Sequence, residues 1–120
     1  MNESQAIAAF GALSQETRLR IVRILVTAGP DGVAAGAIAE LVEASTSNLS
    51  FHLKELEHAG LVHSRRQSRS IIYTAAYGSL AGLVEFLMRD CCQGHPEVCT
   101  PAVTSLAACE CVPNPEHEHA

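Results

Sequence analysis

The stretch STSNLSFHLKELEHAGLV, residues 45–62, decides the fold of this chain. Its leucines recur at the i, i+4, i+7 spacing of one helix face, which predicts a helix from about Ser47 to Ala59. These leucines are Leu49, Leu53 and Leu56. Hydroxyl side chains at the start suit helix capping, and Gly60 stands just past the end, where a positive φ is common. The stretch therefore predicts a short helix with defined ends and one buried face.

Phe51 lies on the opposite face of this helix, which is expected to contact water. A large apolar side chain at such a position indicates that another molecule covers it. A short capped helix with small polar residues around one aromatic ring suits insertion into the major groove of DNA. The alternative is an ordinary amphipathic surface helix, and the periodicity alone is compatible with both.

The preceding chain predicts three further helices, at about 3–12, 15–27 and 35–43. Ser14 is the expected N-cap of the second helix, which is apolar over most of its circumference and is expected to be buried at the centre. Its arginines are expected on the remaining wet side: Arg18, Arg20 and Arg23. A turn is expected at 28–33, AGPDGV. Because about four residues separate the third helix from the leucine-patterned helix, the pair is predicted to form a helix-turn-helix.

The hydrophobic period changes at residues 61–75, LVHSRRQSRSIIYTA, where β-branched and aromatic residues predict a two-stranded hairpin. Gln67 and Ser68 are the expected turn, but they lack the Gly or Asn that a two-residue loop favours, so a longer or a mobile loop is expected. Three arginines lie near this tip: Arg65, Arg66 and Arg69. A basic hairpin after a helix-turn-helix is typical of a wing that contacts phosphates or the minor groove. The alternative is a solvated charged turn.

A last helix is predicted from about Ser79 to Cys92, with an apolar stripe that is expected to pair with its copy in a dimer. The stripe consists of Leu80, Leu83, Val84, Leu87 and Cys91. The predicted fold class is mainly α with a small β-hairpin, a winged helix-turn-helix in the order α-α-α-α-β-β-α that forms a homodimer. We expect DNA binding and dimerisation within 1–92 and a flexible, cysteine-containing tail at 93–120.

The charge distribution favours a nucleic-acid partner despite a net charge of −5 over 120 residues. Residues 1–84 carry equal numbers of basic and acidic side chains, and the acidic excess lies in the last third of the chain. Residues 45–75 carry twice as many basic as acidic side chains, so this face can bind DNA with salt-dependent affinity. No apolar run approaches the ~18 residues of a membrane span, and the start does not resemble a signal peptide. A cytoplasmic protein without membrane contact is expected.

Three motifs together resemble the ArsR/SmtB family of metal-sensing repressors over about residues 7–92. They are ALSQETRLRIVRIL at 12–25, the stretch at 45–62, and RRQSRSIIYT at 65–74. The resemblance implies a homodimer, formed through the N-terminal and last helices, that binds double-stranded operator DNA and releases it when metal binds. It therefore implies a transcription regulator rather than an enzyme.

The resemblance also implies which residues of the recognition helix contact bases: Thr46, Ser47, Ser50 and Phe51. Phe51 replaces a histidine that is usual in the family, and Thr46 replaces a glutamine, so both changes remove hydrogen-bonding reach. We therefore expect specificity from apolar contact between Phe51 and thymine methyl groups, with Asn48 pairing to adenine. Lys54 and the three wing arginines are expected to add basic contacts.

All five cysteines lie in the last 30 residues, at Cys91, Cys92, Cys99, Cys109 and Cys111. An odd number in a cytoplasmic chain argues against a disulfide framework. The third helix lacks the Cys-x-Cys of one metal site of the family, and the last helix lacks the histidine of another. The motif CCQGHPEVC at 91–99 resembles the arsenic-responsive subgroup, whose three thiols cluster at the end of the last helix. The resemblance implies that As(III) or Sb(III), which soft thiolates favour, is bound by Cys91, Cys92 and Cys99.

Alternative chemistries are open for the same motif. Zn(II) or Cd(II) would find a tetrahedral set in Cys91, Cys92, His95 and Cys99, although vicinal cysteines are unusual for structural zinc. A thiol redox switch is a further alternative. A thiol enzyme such as an arsenate reductase would need an oxyanion cradle, and no Gly-rich cradle flanks Cys91 or Cys99. A metal-sequestering protein would bind metal equally well with or without DNA.

Overall fold

The structure, a computed structural model, describes residues 1–89, 97, 100–101 and 104–105. The elements are α1 Glu3–Leu13, α2 Glu16–Ala28, β1 Val33–Ala34, α3 Ala35–Val42, α4 Thr46–His58, β2 Val62–Gln67, β3 Ser70–Ala75 and α5 Tyr77–Met88. The chain divides into two compact units, Met1–Phe86 and Leu87–Ala120. The predicted end of the last helix at Cys92 lies outside the described residues. Among the described helices, none combines the length and apolar character needed to cross a bilayer.

Three antiparallel strands form the sheet in the order β1-β3-β2. Strands β2 and β3 form the predicted hairpin, with Gln67 opposite Ser70 at its tip. Strand β1 adds a short third strand, in which Val33 pairs with Tyr73. The predicted turn at 28–33 is therefore wrong at Val33. A strand of two residues leaves no periodicity in the sequence and forms here because β3 offers its other edge for pairing.

The hairpin loop is shorter than predicted. Because Gln67 pairs with Ser70, only Ser68 and Arg69 form the loop, and the predicted turn at Gln67 and Ser68 is displaced by one residue. Ser68 has a φ of 58°, the left-handed conformation that Gly or Asn usually adopts in such loops. Of the two alternatives for this loop, the longer loop is wrong because a serine adopts this conformation here, and the mobile loop stays a prediction.

The helix-turn-helix has defined ends. Helix α3 stops at Glu43, whose φ of 54° is left-handed and turns the chain towards α4. The Ser45 side chain accepts a hydrogen bond from the Asn48 amide at 3.2 Å, which confirms the predicted capping at the start of α4. Gly60, just beyond the end of α4, has the predicted positive φ, at 76°.

The start of α2 differs from the prediction. Ser14 is not its N-cap, because the Ser14 hydroxyl donates to the Gly11 carbonyl at the end of α1, at 2.8 Å. Gln15 is the N-cap instead, and its side-chain oxygen accepts from the Arg18 amide at 2.9 Å. The glutamine side chain folds back to accept from the amide three residues further on. A serine at an N-cap position makes the same kind of hydrogen bond.

The core packs α2 against the helix-turn-helix and the sheet. The three predicted leucines of α4 are all buried, as predicted. Helix α2 is the central helix, as predicted, and contributes Ile21, Val22 and Leu25 to the core. Burying one such side chain stabilises the fold by about 1.5–3 kcal/mol, so this packing fixes the orientation of α4. The face of α4 that carries Phe51 consequently projects outwards.

The predicted stripe of the last helix is divided between two environments. Leu83 is buried in the core of the first unit, and Leu80 is partly buried against it. Val84 is 49% exposed. Cys91, the last predicted member of the stripe, lies outside the described residues. The Leu83 side of α5 therefore covers the core of the first unit, and the Val84 side is exposed.

Candidate nucleic-acid interface

The outward face of α4 carries the predicted base-contacting residues. Ser47, Ser50, Phe51 and Lys54 follow the i, i+3, i+4, i+7 spacing and are all exposed. Thr46 and Asn48 are also exposed, in the first turn. Phe51 is 55% exposed, which confirms that an aromatic ring faces water on this helix. The surface has the size and polarity of a groove-binding helix, and the base contacts themselves stay a prediction.

Arg18, on α2, lies directly behind this face. Its Nε donates to Nδ1 of His52 at 3.2 Å, and its Nη1 donates to the Ala12 carbonyl at 3.5 Å. The guanidinium carbon is 5.7 Å from the centre of the Phe51 ring, within the range of a cation–π interaction. The Phe51 and His52 rings meet edge to face with centres 5.5 Å apart. A single arginine therefore contacts the end of α1 and two residues of the recognition helix.

This role of Arg18 was not predicted from the sequence. Arg18 and Arg20 were expected on a common wet side, yet two residues along a helix are about 200° apart, so they cannot share a face. Arg18 is half-buried, whereas Arg20 is exposed and pairs with Glu16 at 2.7 Å. The angle was available from the sequence, but the contacts with α4 required the packing of the two helices.

Burial lowers the pKa of His52, and the Arg18 charge lowers it further. Both effects disfavour imidazolium, so His52 is neutral at pH 7 and its Nδ1 can accept the hydrogen bond from Arg18. The other ring nitrogen then carries the proton.

The wing arginines differ in their surroundings. The Arg65 guanidinium reaches the loop before β1, where it donates to the Asp31 carbonyl at 2.7 Å and the Pro30 carbonyl at 3.5 Å. Arg66 follows on the opposite face of the strand, and its side chain has no partner within the described residues. Arg69 lies in the loop itself and is exposed. Arg66 and Arg69 therefore remain available for phosphates, whereas Arg65 holds the wing to the loop before β1.

Replacing Arg66 by Ala is expected to weaken DNA binding similarly for all sequences. The slope of log affinity against log salt should become shallower by about 1, because one phosphate contact is lost. The measurement is fluorescence anisotropy on a duplex of arbitrary sequence at several salt concentrations.

Arg65→Ala is the matched control, since it removes the same charge from the neighbouring position. We expect a smaller change of slope and a fall in the free energy of unfolding of about 0.5–1 kcal/mol, measured in urea. Equal slope changes in the two variants would contradict the distinction between the two arginines.

The predicted metal ligands Cys91, Cys92 and Cys99 lie outside the described residues, as does His95 of the zinc alternative. Within the part of the chain that is described, no three His, Cys, Asp or Glu side chains come together as a metal site.

Comparison with known proteins agrees with this geometry. The helix-turn-helix domain family matches residues 13–65, which span α2 to β2. The chain is 30% identical over 94 residues to the transcriptional activator HlyU of Vibrio cholerae, covering 78% of this chain and 84% of HlyU.

Solved structures give the same relationship. The homodimeric winged helix-turn-helix domain of Mb0332 from Mycobacterium bovis, a possible ArsR-family transcriptional regulator, is 28% identical at a TM-score of 0.56. That match covers 71% of this chain and 83% of the other. A possible transcriptional regulator for arsenical resistance is 32% identical at a TM-score of 0.57, covering 64% of this chain and 77% of the other. With its helix-turn-helix, its basic wing and these relatives, the chain belongs to the ArsR/SmtB family of transcriptional regulators and is not an enzyme.

Proposed function

We propose that this regulator is a metalloid-responsive repressor. It binds operator DNA as a homodimer and dissociates when As(III) or Sb(III) binds Cys91, Cys92 and Cys99. The observation that carries the DNA-binding part is the exposed Phe51 ring, on a capped helix whose opposite face is buried. The motif CCQGHPEVC carries the inducer part. The related protein described as a possible regulator for arsenical resistance supports this choice of inducer.

The homodimer is supported by exposed apolar side chains on the first and last helices. Ile7 of α1 is 64% exposed and Phe10 is 39% exposed, while Ala6 and Ala9 cover the protomer's own core. On α5, Val84 is about half exposed. Apolar surface on two helices favours burial against a second copy, and Mb0332 is a homodimer of this fold. Such a dimer would place two recognition helices about 34 Å apart, one turn of DNA.

Three thiolates suit trivalent arsenic and antimony, which are thiophilic ions. Cys91 and Cys92 are adjacent, and the QGHPEV segment allows the chain to return and bring Cys99 to the same ion. Cys91 follows α5 by only three positions, so ion binding there would act on the helix that also carries Val84. Coupling of about 1–3 kcal/mol per site, on two sites, is sufficient to shift a regulator off its operator.

The test is fluorescence anisotropy on a duplex selected from a random pool, titrated with arsenite, antimonite, Zn²⁺ and Cd²⁺ under a phosphine reductant. Arsenite and antimonite are expected to release the DNA. Single Cys-to-Ser variants at the three ligand positions are expected to bind DNA normally and to lose release. Release that persists in all three variants would contradict the site.

His95→Ala separates the two metal chemistries. Release by arsenite is expected to be unchanged in this variant, whereas a Cys₃His site would lose its response to Zn²⁺ or Cd²⁺. Release by oxidant alone would favour the redox switch, and metal binding without release would favour sequestration.

HlyU is named an activator, so whether this regulator represses or activates is measured separately, by transcription in vitro from a promoter that overlaps the selected site. Repression that arsenite relieves is the expected result.

A further inference from the structure

From the contacts behind the recognition helix we infer that Arg18 is a positioning residue for Phe51. By holding the ring in one orientation, Arg18 makes the contact with thymine methyl groups selective. The inference rests on the proposed base contact of Phe51. Arg18 would then contribute to sequence specificity although it lies on α2, outside the recognition helix.

The guanidinium of Arg18 is itself fixed. It donates to His52 Nδ1 and to the Ala12 carbonyl, on two different helices, and its own backbone amide is held by the Gln15 side chain. The two hydrogen bonds from the guanidinium, to two different helices, restrict the rotamers open to the Arg18 side chain. The cation beside the Phe51 ring is therefore a stationary feature of the surface, unlike a mobile surface charge.

The Phe51 ring needs such a support. An exposed phenylalanine on a helix has two common χ1 rotamers, and nothing on the solvent side selects one of them. Arg18 lies 5.7 Å from the ring centre and His52 meets the ring at its edge, with 62° between the ring planes. These contacts hold one side of the ring, and the other side remains free for a base.

The support depends on neutral His52. A protonated imidazole would present an N–H to the Arg18 Nε–H, so the hydrogen bond would be lost and two cations would face each other. Besides Arg18, the titratable side chains on this side are Glu55 and His58 of α4, which line a groove with Arg18 between α1 and α4. Burial and Arg18 keep the pKa of His52 below its usual value, so the arrangement persists at neutral pH.

The experiment measures thymine-methyl discrimination. Each thymine of the selected duplex is replaced in turn by deoxyuridine, which removes only the methyl group. Wild-type protein is expected to lose about fourfold in affinity for each methyl that Phe51 contacts. Arg18→Gln is expected to bind all these duplexes within 1.5-fold of one another on a roughly unchanged salt slope.

Arg20→Gln is the matched control, because it removes an exposed arginine of the same helix whose partner among the described residues is Glu16. It is expected to discriminate like the wild type. Discrimination retained in Arg18→Gln, or lost equally in Arg20→Gln, would overturn the inference. If the wild type itself discriminates at no thymine, the proposed base contact of Phe51 fails instead.

Two further measurements keep the inference testable if Arg18→Gln folds poorly. Arg18→Lys retains the charge but cannot contact both His52 and the Ala12 carbonyl, so partial discrimination is expected. Full discrimination in this variant would count against the role of these two hydrogen bonds.

In wild-type protein, discrimination is expected to decline as pH falls below about 6.5, through the lowered pKa of His52. His52→Gln, which keeps a neutral acceptor, is expected to show no such decline. A decline of the same size in His52→Gln as in the wild type would contradict the role of the Arg18–His52 hydrogen bond.

Discussion

Replacing Ile7 by Asp is expected to separate the proposed dimer and to lower operator affinity by roughly 10²–10⁴-fold. The Ile7 side chain is 64% exposed in one chain, so a carboxylate costs the isolated fold little. In a dimer the same carboxylate would be buried against its two-fold mate or an apolar partner surface, which is strongly unfavourable. Sedimentation velocity measures the dissociation, and anisotropy on the selected duplex measures the affinity.

Leu41→Asp is the matched control for this experiment. Leu41 is 62% exposed, almost the same as Ile7, but it lies on α3 and outside the proposed dimer surface. The variant is expected to remain a dimer and to bind the operator normally. If Leu41→Asp dissociates and Ile7→Asp does not, the two chains pair through α3, and the proposed pairing through the N-terminal and last helices is wrong.

The elements that sequence periodicity located correctly are those whose patterns extend over several turns. The leucine spacing of α4 placed that helix to within a residue at each end, because burial of one face leaves a repeat that the sequence displays. Strand β1 has two residues and therefore no repeat, so it was missed. The hairpin loop was displaced by one residue because Ser68 adopts a conformation for which serine gives no signal.

The candidate interface was predictable as a surface but not as a set of contacts. The outward position of Phe51 followed from the helix period alone, since it lies opposite the leucines. Arg65 and Arg66 are indistinguishable in a charge count, yet only Arg65 reaches the carbonyls of the loop before β1. Arg18 contacts residues 34 positions away along the chain, and such long-range contacts depend on how helices cross. Side-chain partners of this kind follow from packing, which no local pattern encodes.

Replacing Gly32 by Ala is expected to lower the free energy of unfolding by about 2–3 kcal/mol. Gly32 has a φ of 76°, and a Cβ there would lie 2.6 Å from the Tyr73 carbonyl oxygen and 2.7 Å from an Ile72 methyl carbon. The obstructing atoms include the backbone of the central strand, so they cannot move aside without breaking the pairing of β1 with β3. Urea denaturation followed by circular dichroism measures the change.

Gly36→Ala provides the comparison, because a Cβ at Gly36 meets nothing within 4 Å and the residue lies in α3. That substitution is expected to raise stability by about 0.4–1 kcal/mol, since alanine loses less backbone freedom on folding. Gly32→Ala should also weaken DNA binding without arsenite, because the loop it distorts includes the Asp31 carbonyl that holds Arg65 and hence the wing. Equal unfolding midpoints for the two variants would mean that β1 does not pair closely with β3. The proposal that the loop before β1 supports the wing would then also be wrong.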